Sequence, residues 1–214
     1  MLFVKKLTYS PFSENTYLLY NEEKLCWIID PGCYEQAEKE DLKNQIEKEG
    51  LTPVKLVNTH CHVDHIFGNA FVYRQYGLLP EVPEKDLFLL EGAPNHAKVF
   101  GLDGVEPSPT PKIYLGEGQK LSLGSDEIEL IEVAGHTPGH LILYAKKEQF
   151  VISGDVLFSG SIGRTDLPGG DHESLLENIK NKMYLLEDDT VVYSGHGPET
   201  SIGEEKRSNP FVRA

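Results

Sequence analysis

Cysteine is scarce in this chain: Cys26, Cys33 and Cys61 among 214 residues. An odd, sparse count excludes a disulfide framework and fits a reducing compartment. The fold must then rest on a buried apolar core, which a chain of this length can supply unaided. Positive charge is also short. Twenty Lys and Arg face 34 Asp and Glu, a formal net charge of −14. That excess opposes phosphate backbones and anionic membrane surfaces, so neither nucleic acid nor membrane is an expected partner. No apolar run approaches the length of a membrane span. The opening Met1-Leu2-Phe3-Val4-Lys5-Lys6-Leu7 has no basic stretch followed by a long apolar core, so it is not read as a signal peptide. A cytoplasmic protein is expected. Fixed-period repeats and low-complexity segments are absent too, and a 39% hydrophobic share argues against disorder.

What is there alternates between short apolar runs and amphipathic stretches. Residues 4–7, 16–20 and 25–29 read as strands, with Asn21-Glu22-Glu23-Lys24 as the hairpin turn between the last two. Residues 34–49 are charged, with Ala37, Leu42 and Ile46 at near-helical spacing, and Gly50 ends them. A strand at 54–58 follows, then a helix at 66–76 closed by Gly77. Residues 80–111 carry several prolines and are expected to be an irregular border or lid. Beyond 112 the period is near two, with strands at 113–115, 119–123, 128–133, 141–145, 150–152 and 191–193, and a helix at 171–186. Helices interleaved with two groups of strands predict an α/β fold of one domain, residues 1–214, with two sheets and helices outside.

The chemistry is concentrated in His60-Cys61-His62-Val63-Asp64-His65, where three imidazoles and a carboxylate fall within six positions after an apolar run. Neutral imidazole and carboxylate oxygen suit zinc and iron(II). If the strand continues through the cluster, alternation points His60 and His62 the same way and leaves Asp64 and His65 at its exit. Three further polar residues each follow an apolar strand with glycine beside them: His136 in Gly135-His136-Thr137-Pro138-Gly139, Asp155 in Ser153-Gly154-Asp155, and His196 in Ser194-Gly195-His196-Gly197. Spacing alone does not separate His136 from its competitor His140. Cys61 is expected to point away from its histidine neighbours as a small buried thiol.

In this order, Asp30, Thr59-His60-x-His62-x-Asp64-His65, His136, Asp155 and His196 resemble the motifs of the metallo-β-lactamase superfamily. The resemblance implies a four-layer αββα sandwich of two mixed sheets. It also implies two divalent metal ions, zinc foremost, with iron or manganese as alternatives. One ion would take His60, His62 and His136. The second would take Asp64, His65 and His196, with Asp155 bridging and Asp64 also orienting the attacking water. Asp30, Arg164 and His140 would support these ligands: Asp30 anchors the metal loop, Arg164 pairs with Asp166 beneath the site, and His140 has a supporting or packing role. β-Lactamases place cysteine or serine at the bridge, so Asp155 argues against antibiotic hydrolysis.

A narrower resemblance lies in residues 158–171, Phe-Ser-Gly-Ser-Ile-Gly-Arg-Thr-Asp-Leu-Pro-Gly-Gly-Asp, and in Gly195-His196-Gly197-Pro198-x-Thr200-x-Ile202-Gly203-Glu204-Glu205. Both are similar to glyoxalase II-like hydrolases. They imply hydrolysis of a small-molecule thioester, of S-acyl-glutathione type, by a hydroxide shared between the two ions. Longer glyoxalase II enzymes add a helical glutathione-binding segment that this sequence does not contain, so the thiol half stays open. The oligomeric expectation is a monomer or small homo-oligomer. Iron-dependent persulfide dioxygenases also resemble the chain through Gly163-Arg164-Thr165-Asp166, with iron on His60, His136 and Asp155. A lactonase with the same ligands is a further alternative.

Overall fold

The computed structural model describes residues 1–213; Ala214, the end of the expected domain, lies outside the described residues. The chain resolves into two compact units, Met1–Leu115 with Ser122–Asp126, and Gly116–Leu121 with the remainder from Glu127.

The first unit is built on a six-stranded sheet whose spatial order is its chain order: β1 (Leu2–Tyr9), β2 (Glu14–Asn21), β3 (Leu25–Ile29), β4 (Thr52–Val57), β5 (Pro80–Pro83) and β6 (Ile113–Leu115). The first two pairings are antiparallel and the last three parallel. Helix α1 (Gln36–Lys48) covers the β3–β4 crossover. Its start is set by a capping box between Glu35 and Glu38, and it buries Leu42 and Ile46. These join Leu18, Ile28, Leu56 and Val72 in one apolar cluster.

The run after β4 departs from the sequence expectations. β4 stops at Val57, so His60 and His62 stand in a loop and strand alternation does not aim them. The expected helix at 66–76 is two helices, α2 (Val63–Ile66) and α3 (Asn69–Tyr76). The break falls at Gly68, whose N–H donates to the Pro31 carbonyl at 2.7 Å. A Cβ there would lie 2.5 Å from Cys33 Sγ, so close packing on the Pro31–Cys33 turn splits the helix. Asp64 and His65 therefore sit on α2.

The expected irregular lid is largely regular. It holds β5, a 3-10 turn (Glu84–Asp86) and α4 (Leu87–Val99), which buries Leu89, Leu90, Ala93 and Ala97 despite Pro94 inside it. Those four positions recur at helical spacing, and their burial outweighs the break that prolines signal. Only 100–112 is irregular, and it is tied down. Asn69 Nδ2 donates to Ser108 Oγ at 3.0 Å, Arg74 pairs with Glu106, and the Tyr34 hydroxyl donates to the Asp103 carbonyl at 2.6 Å.

The second sheet has the order β14-β13-β10-β9-β8-β7. In chain order these are β7 (Lys120–Leu123), β8 (Asp126–Glu132), β9 (Leu141–Ala145), β10 (Phe150–Gly154), β13 (Val191–Ser194) and β14 (Thr200–Ser201). A two-stranded ribbon, β11 (Leu157–Phe158) with β12 (Ser161–Ile162), stands apart from it. β10 and β13 are parallel, while β8–β9 and β9–β10 are antiparallel. α5 (His172–Asn181) is capped by Asp171, which accepts from the Ser174 N–H at 3.0 Å, and buries Leu175 and Ile179. It ends well before the expected residue 186, where a 3-10 turn (Met183–Leu185) takes over. A short α6 (Ile202–Ser208), not anticipated, follows β14. Val133, Ile142, Val151, Leu175 and Val192 form this unit's core. No helix among the described residues is long and apolar enough to cross a membrane.

Candidate metal centre

In the first unit, strand direction gathers the polar residues. β3 and β4 run parallel, so Asp30 and the Thr59-His60 turn leave the sheet at the same edge. β2 is antiparallel to β3, so its first residue, Glu14, arrives at that edge. Asp30 is buried and accepts three hydrogen bonds: from the Thr59 N–H at 2.8 Å, the Thr59 hydroxyl at 2.6 Å and His65 Nδ1 at 3.1 Å. With its hydroxyl proton given to Asp30, Thr59 Oγ1 accepts from His60 Nδ1 at 3.0 Å. Both imidazoles therefore carry their proton on Nδ1 and turn the Nε2 lone pair outward, the tautomer that ligates metal. His60 lies 4.2 Å from His65 and 5.0 Å from His62, centroid to centroid. Asp64 Oδ2 is 3.9 Å from His65 Nε2. One atom each of Asp30, His60 and His65 lie within 4.8 Å of one another. Asp30, however, spends its oxygens on three protein donors, so it serves as the anchor of the two histidines.

Cys61 is buried in an apolar cluster with Val63, Leu89 and Ala93. Burial pushes its thiol well above the usual range, and its backbone N–H donates to the buried Asp86 at 3.3 Å.

In the second unit the same geometry recurs. β8, β10 and β13 all point one way, so their C-terminal ends share an edge. There Gly135-His136 follows β8, Asp155 follows β10 and His196 follows β13. A β-bulge between Ile152 and Gly154 re-aims the chain just before Asp155. Asp155 Oδ2 lies 3.6 Å from His136 Nε2 and 3.5 Å from His196 Nε2, so one carboxylate oxygen faces two imidazole nitrogens. His136 Nδ1 donates to the Arg164 carbonyl at 2.7 Å, which again leaves Nε2 as the lone-pair nitrogen.

His140 differs. Its Nε2 accepts from the Asp155 N–H at 3.0 Å, which uses the lone pair that a ligand would offer. The Arg164–Asp166 pair forms at 2.7 Å, but both side chains are more than half exposed, so it does not lie beneath the site. What Arg164 brings to His136 is its backbone carbonyl. Gly163 lets this turn approach, because a Cβ there would lie 1.9 Å from the Asp155 carbonyl oxygen and 3.0 Å from His136 Nδ1. His96 is half-buried on α4 and His172 is exposed at the start of α5.

Glu14 and Glu205 are buried carboxyl groups to which the sequence reading gave no role. Glu14 accepts from the Thr16 hydroxyl at 2.9 Å and lies 3.7 Å from His65 Nδ1. Burial drives its pKa well above the ordinary carboxylate range; His65 opposes the rise and Asp30 adds to it. Glu205 accepts from the Gly160 N–H, the Thr200 hydroxyl and Asn209 Nδ2, tying the β11–β12 turn to α6. A signal for Glu14 was available in the antiparallel β2–β3 hairpin, which returns its start to the edge where Asp30 sits.

The donor set of both units, buried imidazoles with Nδ1 engaged and carboxylates facing Nε2, fits divalent metal. A family model described as the Metallo-beta-lactamase superfamily matches residues 9–196. The chain belongs to the metallo-β-lactamase superfamily. It has that superfamily's α/β fold of two mixed sheets with helices, as the motifs implied, and it is a metal-dependent hydrolase of that group. Among its relatives, the hydroxyacylglutathione hydrolase GloC of Haemophilus influenzae is 39% identical over 95% of this chain and 94% of its own length. Of solved structures, BLEG-1 B3 metallo-beta-lactamase superposes with a TM-score of 0.90 at 36% identity, covering 99% of this chain and all of that one. TTHA1623, solved in a di-iron-bound form, gives 0.89 at 37% identity over 98% of this chain and all of its own.

Proposed function

We propose that this metallo-β-lactamase-superfamily chain hydrolyses small-molecule thioesters of the S-acyl-glutathione type. In this reading His60, His62 and His136 hold one divalent ion, Asp64, His65 and His196 hold a second, and Asp155 serves both. The observation that carries it is Asp155 Oδ2, equidistant within 0.1 Å from the Nε2 atoms of His136 and His196. A single oxygen facing two donor nitrogens is the arrangement of a carboxylate that serves two ions. The β11–β12 turn supports the narrower assignment, since residues 158–171 carry the run similar to glyoxalase II-like hydrolases. So does the similarity to GloC, whose name gives that activity.

When bound, paired divalent ions acidify water and polarise a carbonyl. The protein's own part is positional. Thr59, Asp30 and the Arg164 carbonyl hold their imidazoles by Nδ1, which keeps each Nε2 available. His140 fixes the backbone of Asp155. Asp64, partly exposed on the first turn of α2, would orient the attacking water by accepting its hydrogen bond. A thioester asks little more, because a thiolate leaves with a pKa of about 8.5 and needs no general acid. We take zinc as the resident metal. Three cysteines, all free and buried, fit work in the reducing cytoplasm.

The test is a substrate panel on purified, metal-analysed protein: S-lactoylglutathione, other acyl-thioesters, lactones, a β-lactam (BLEG-1 makes that arm necessary) and glutathione persulfide with oxygen uptake. Hydrolysis of at least one thioester should exceed the lactone and β-lactam rates by 100-fold or more in kcat/KM (a gap of about 2.7 kcal/mol), vanish with chelator and return with Zn2+. Intact thioesters beside a hydrolysed lactone or β-lactam, or one iron with rapid oxygen uptake, would overturn it.

A further inference from the structure

We propose that Glu14 is a positioning residue for the second ion, a buried carboxyl group that works with Asp30 to hold His65; this rests on the two-ion reading above. The strand order delivers it there. β2 enters antiparallel to β3, and Tyr17 pairs with Ile29, so Glu14 stands beside the chain that leaves β3 through Asp30. It is wholly buried.

The two oxygens of Glu14 have different surroundings. Oε2 accepts from the Thr16 hydroxyl at 2.9 Å, and that hydroxyl in turn accepts from the Gly32 N–H at 2.9 Å. Oε1 has no hydrogen-bond partner among the described residues and lies 3.7 Å from His65 Nδ1. A carboxyl group that served only to anchor the Asp30-Pro31-Gly32 turn would need Oε2 alone. The oxygen left over is the one that faces the histidine.

The chain also makes room for it. A Cβ on residue 32 would fall 1.9 Å from Glu14 Oε2 and 2.8 Å from the Asp64 carbonyl, so only glycine leaves the cradle open. That cradle borders Asp64 and His65, two proposed ligands of one ion.

The physical role follows from what stands behind a ligating imidazole. An acceptor on Nδ1 fixes the ring and raises the basicity of Nε2. Asp30 Oδ2 supplies one acceptor but shares it with the Thr59 hydroxyl at 2.6 Å, shorter than its 3.1 Å to His65. Glu14 Oε1, at 3.7 Å, lies just beyond hydrogen-bond distance of the same Nδ1 and is the next carboxyl oxygen facing it. Among the first ion's proposed ligands, His60 is held at Nδ1 by Thr59 and His136 by the Arg164 carbonyl, whereas the histidine that Glu14 faces is His65. Loss of Glu14 should therefore weaken one ion and spare the other.

Glu14→Gln keeps the side chain's size and replaces the oxygen facing His65 with an amide. Zn2+ content at equilibrium would be measured across a series of competing-chelator concentrations for wild type and variant, with a melting curve to show that the variant folds. The expected result is two Zn2+ in both at saturation, with affinity for one ion lowered by about 10- to 100-fold in the variant and that for the other unchanged. Should Glu14→Gln not fold, Thr16→Val, which frees Glu14 Oε2, should shift the same ion in the same direction. Two ions bound with unaltered affinities would overturn the role of Glu14 and leave the two-ion reading standing. A wild type that saturates at one ion would overturn both. Equal weakening of both ions would also overturn it, since that is what general loosening of the turn produces.

Discussion

A histidine near metal is defined by the nitrogen it has left. His60, His65 and His136 each commit Nδ1 to a protein acceptor and keep Nε2, whereas His140 commits Nε2 to the Asp155 N–H. The sequence put His136 and His140 four residues apart in one glycine-flanked motif, and no spacing rule tells them apart. Their substitution should. His140→Leu removes the acceptor of a buried N–H, a loss of about 1–3 kcal/mol of stability. It should still bind two ions at saturation, with affinity down about 10- to 100-fold through the displaced Asp155. His136→Leu should bind one fewer ion at any concentration. Elemental analysis at saturating Zn2+, paired with thermal melts, separates the two; a single ion in His140→Leu would contradict the assignment.

The elements show why the site was more legible than the segments joining it. Asp30, His60, His136, Asp155 and His196 sit one to four positions past β3, β4, β8, β10 and β13, and within each sheet the parallel strands deliver their ends to one edge. Apolar runs such as Ile28-Ile29 and Val151-Ile152 mark those strands in the sequence, so Asp30, His60 and Asp155 could be read from it. The departures come where tertiary packing outvotes local signals. Prolines at 80, 83 and 94 argued for an irregular lid, yet Pro80 and Pro83 bound a four-residue strand and Leu89, Leu90, Ala93 and Ala97 bury one face of α4. The Gly68 break exists because Pro31 and Cys33, distant in sequence, press on it. Glu14 was missed for a related reason, since the Asp30 and His65 groups it faces lie past β3 and on α2.

The β11–β12 ribbon depends on such a contact. Gly163, just after it, packs on the Asp155 backbone, and the next carbonyl holds His136. Gly163→Ala must push the ribbon away, an overpacking cost of about 1–3 kcal/mol. The Arg164 carbonyl would move with it. Metal affinity should then fall more than that of an exposed control such as Gly160→Ala, where no atom lies within 4 Å of the added carbon. Gly160 has positive φ, so its alanine carries a backbone penalty as well. Comparing ion retention with melting temperature in both variants distinguishes the contact from backbone strain, and equal ion retention in the two would refute the link between Gly163 and His136.

At the scale of the whole molecule, the proposed ligands run from His60 to His196, and the chain carries a net charge of −14. In the proposed sites, ligands so far apart in sequence would meet only on folding, so an ion would bind the native chain and hardly the unfolded one. Bound ions must then raise stability by mass action. Free ion at 100 times the dissociation constant adds about 2.7 kcal/mol per site. In a chain of this size each kcal/mol moves the melting midpoint by about 2–4 °C. Chelation should thus lower the midpoint by roughly 5–10 °C for each ion removed. The loss should be larger at low ionic strength, where the chain's net charge of −14 is less screened once the cations leave. Calorimetry of metal-loaded and chelated protein at two salt concentrations checks both parts. Coincident melting curves would mean that the clustered imidazoles and carboxylates hold no ion in the folded state.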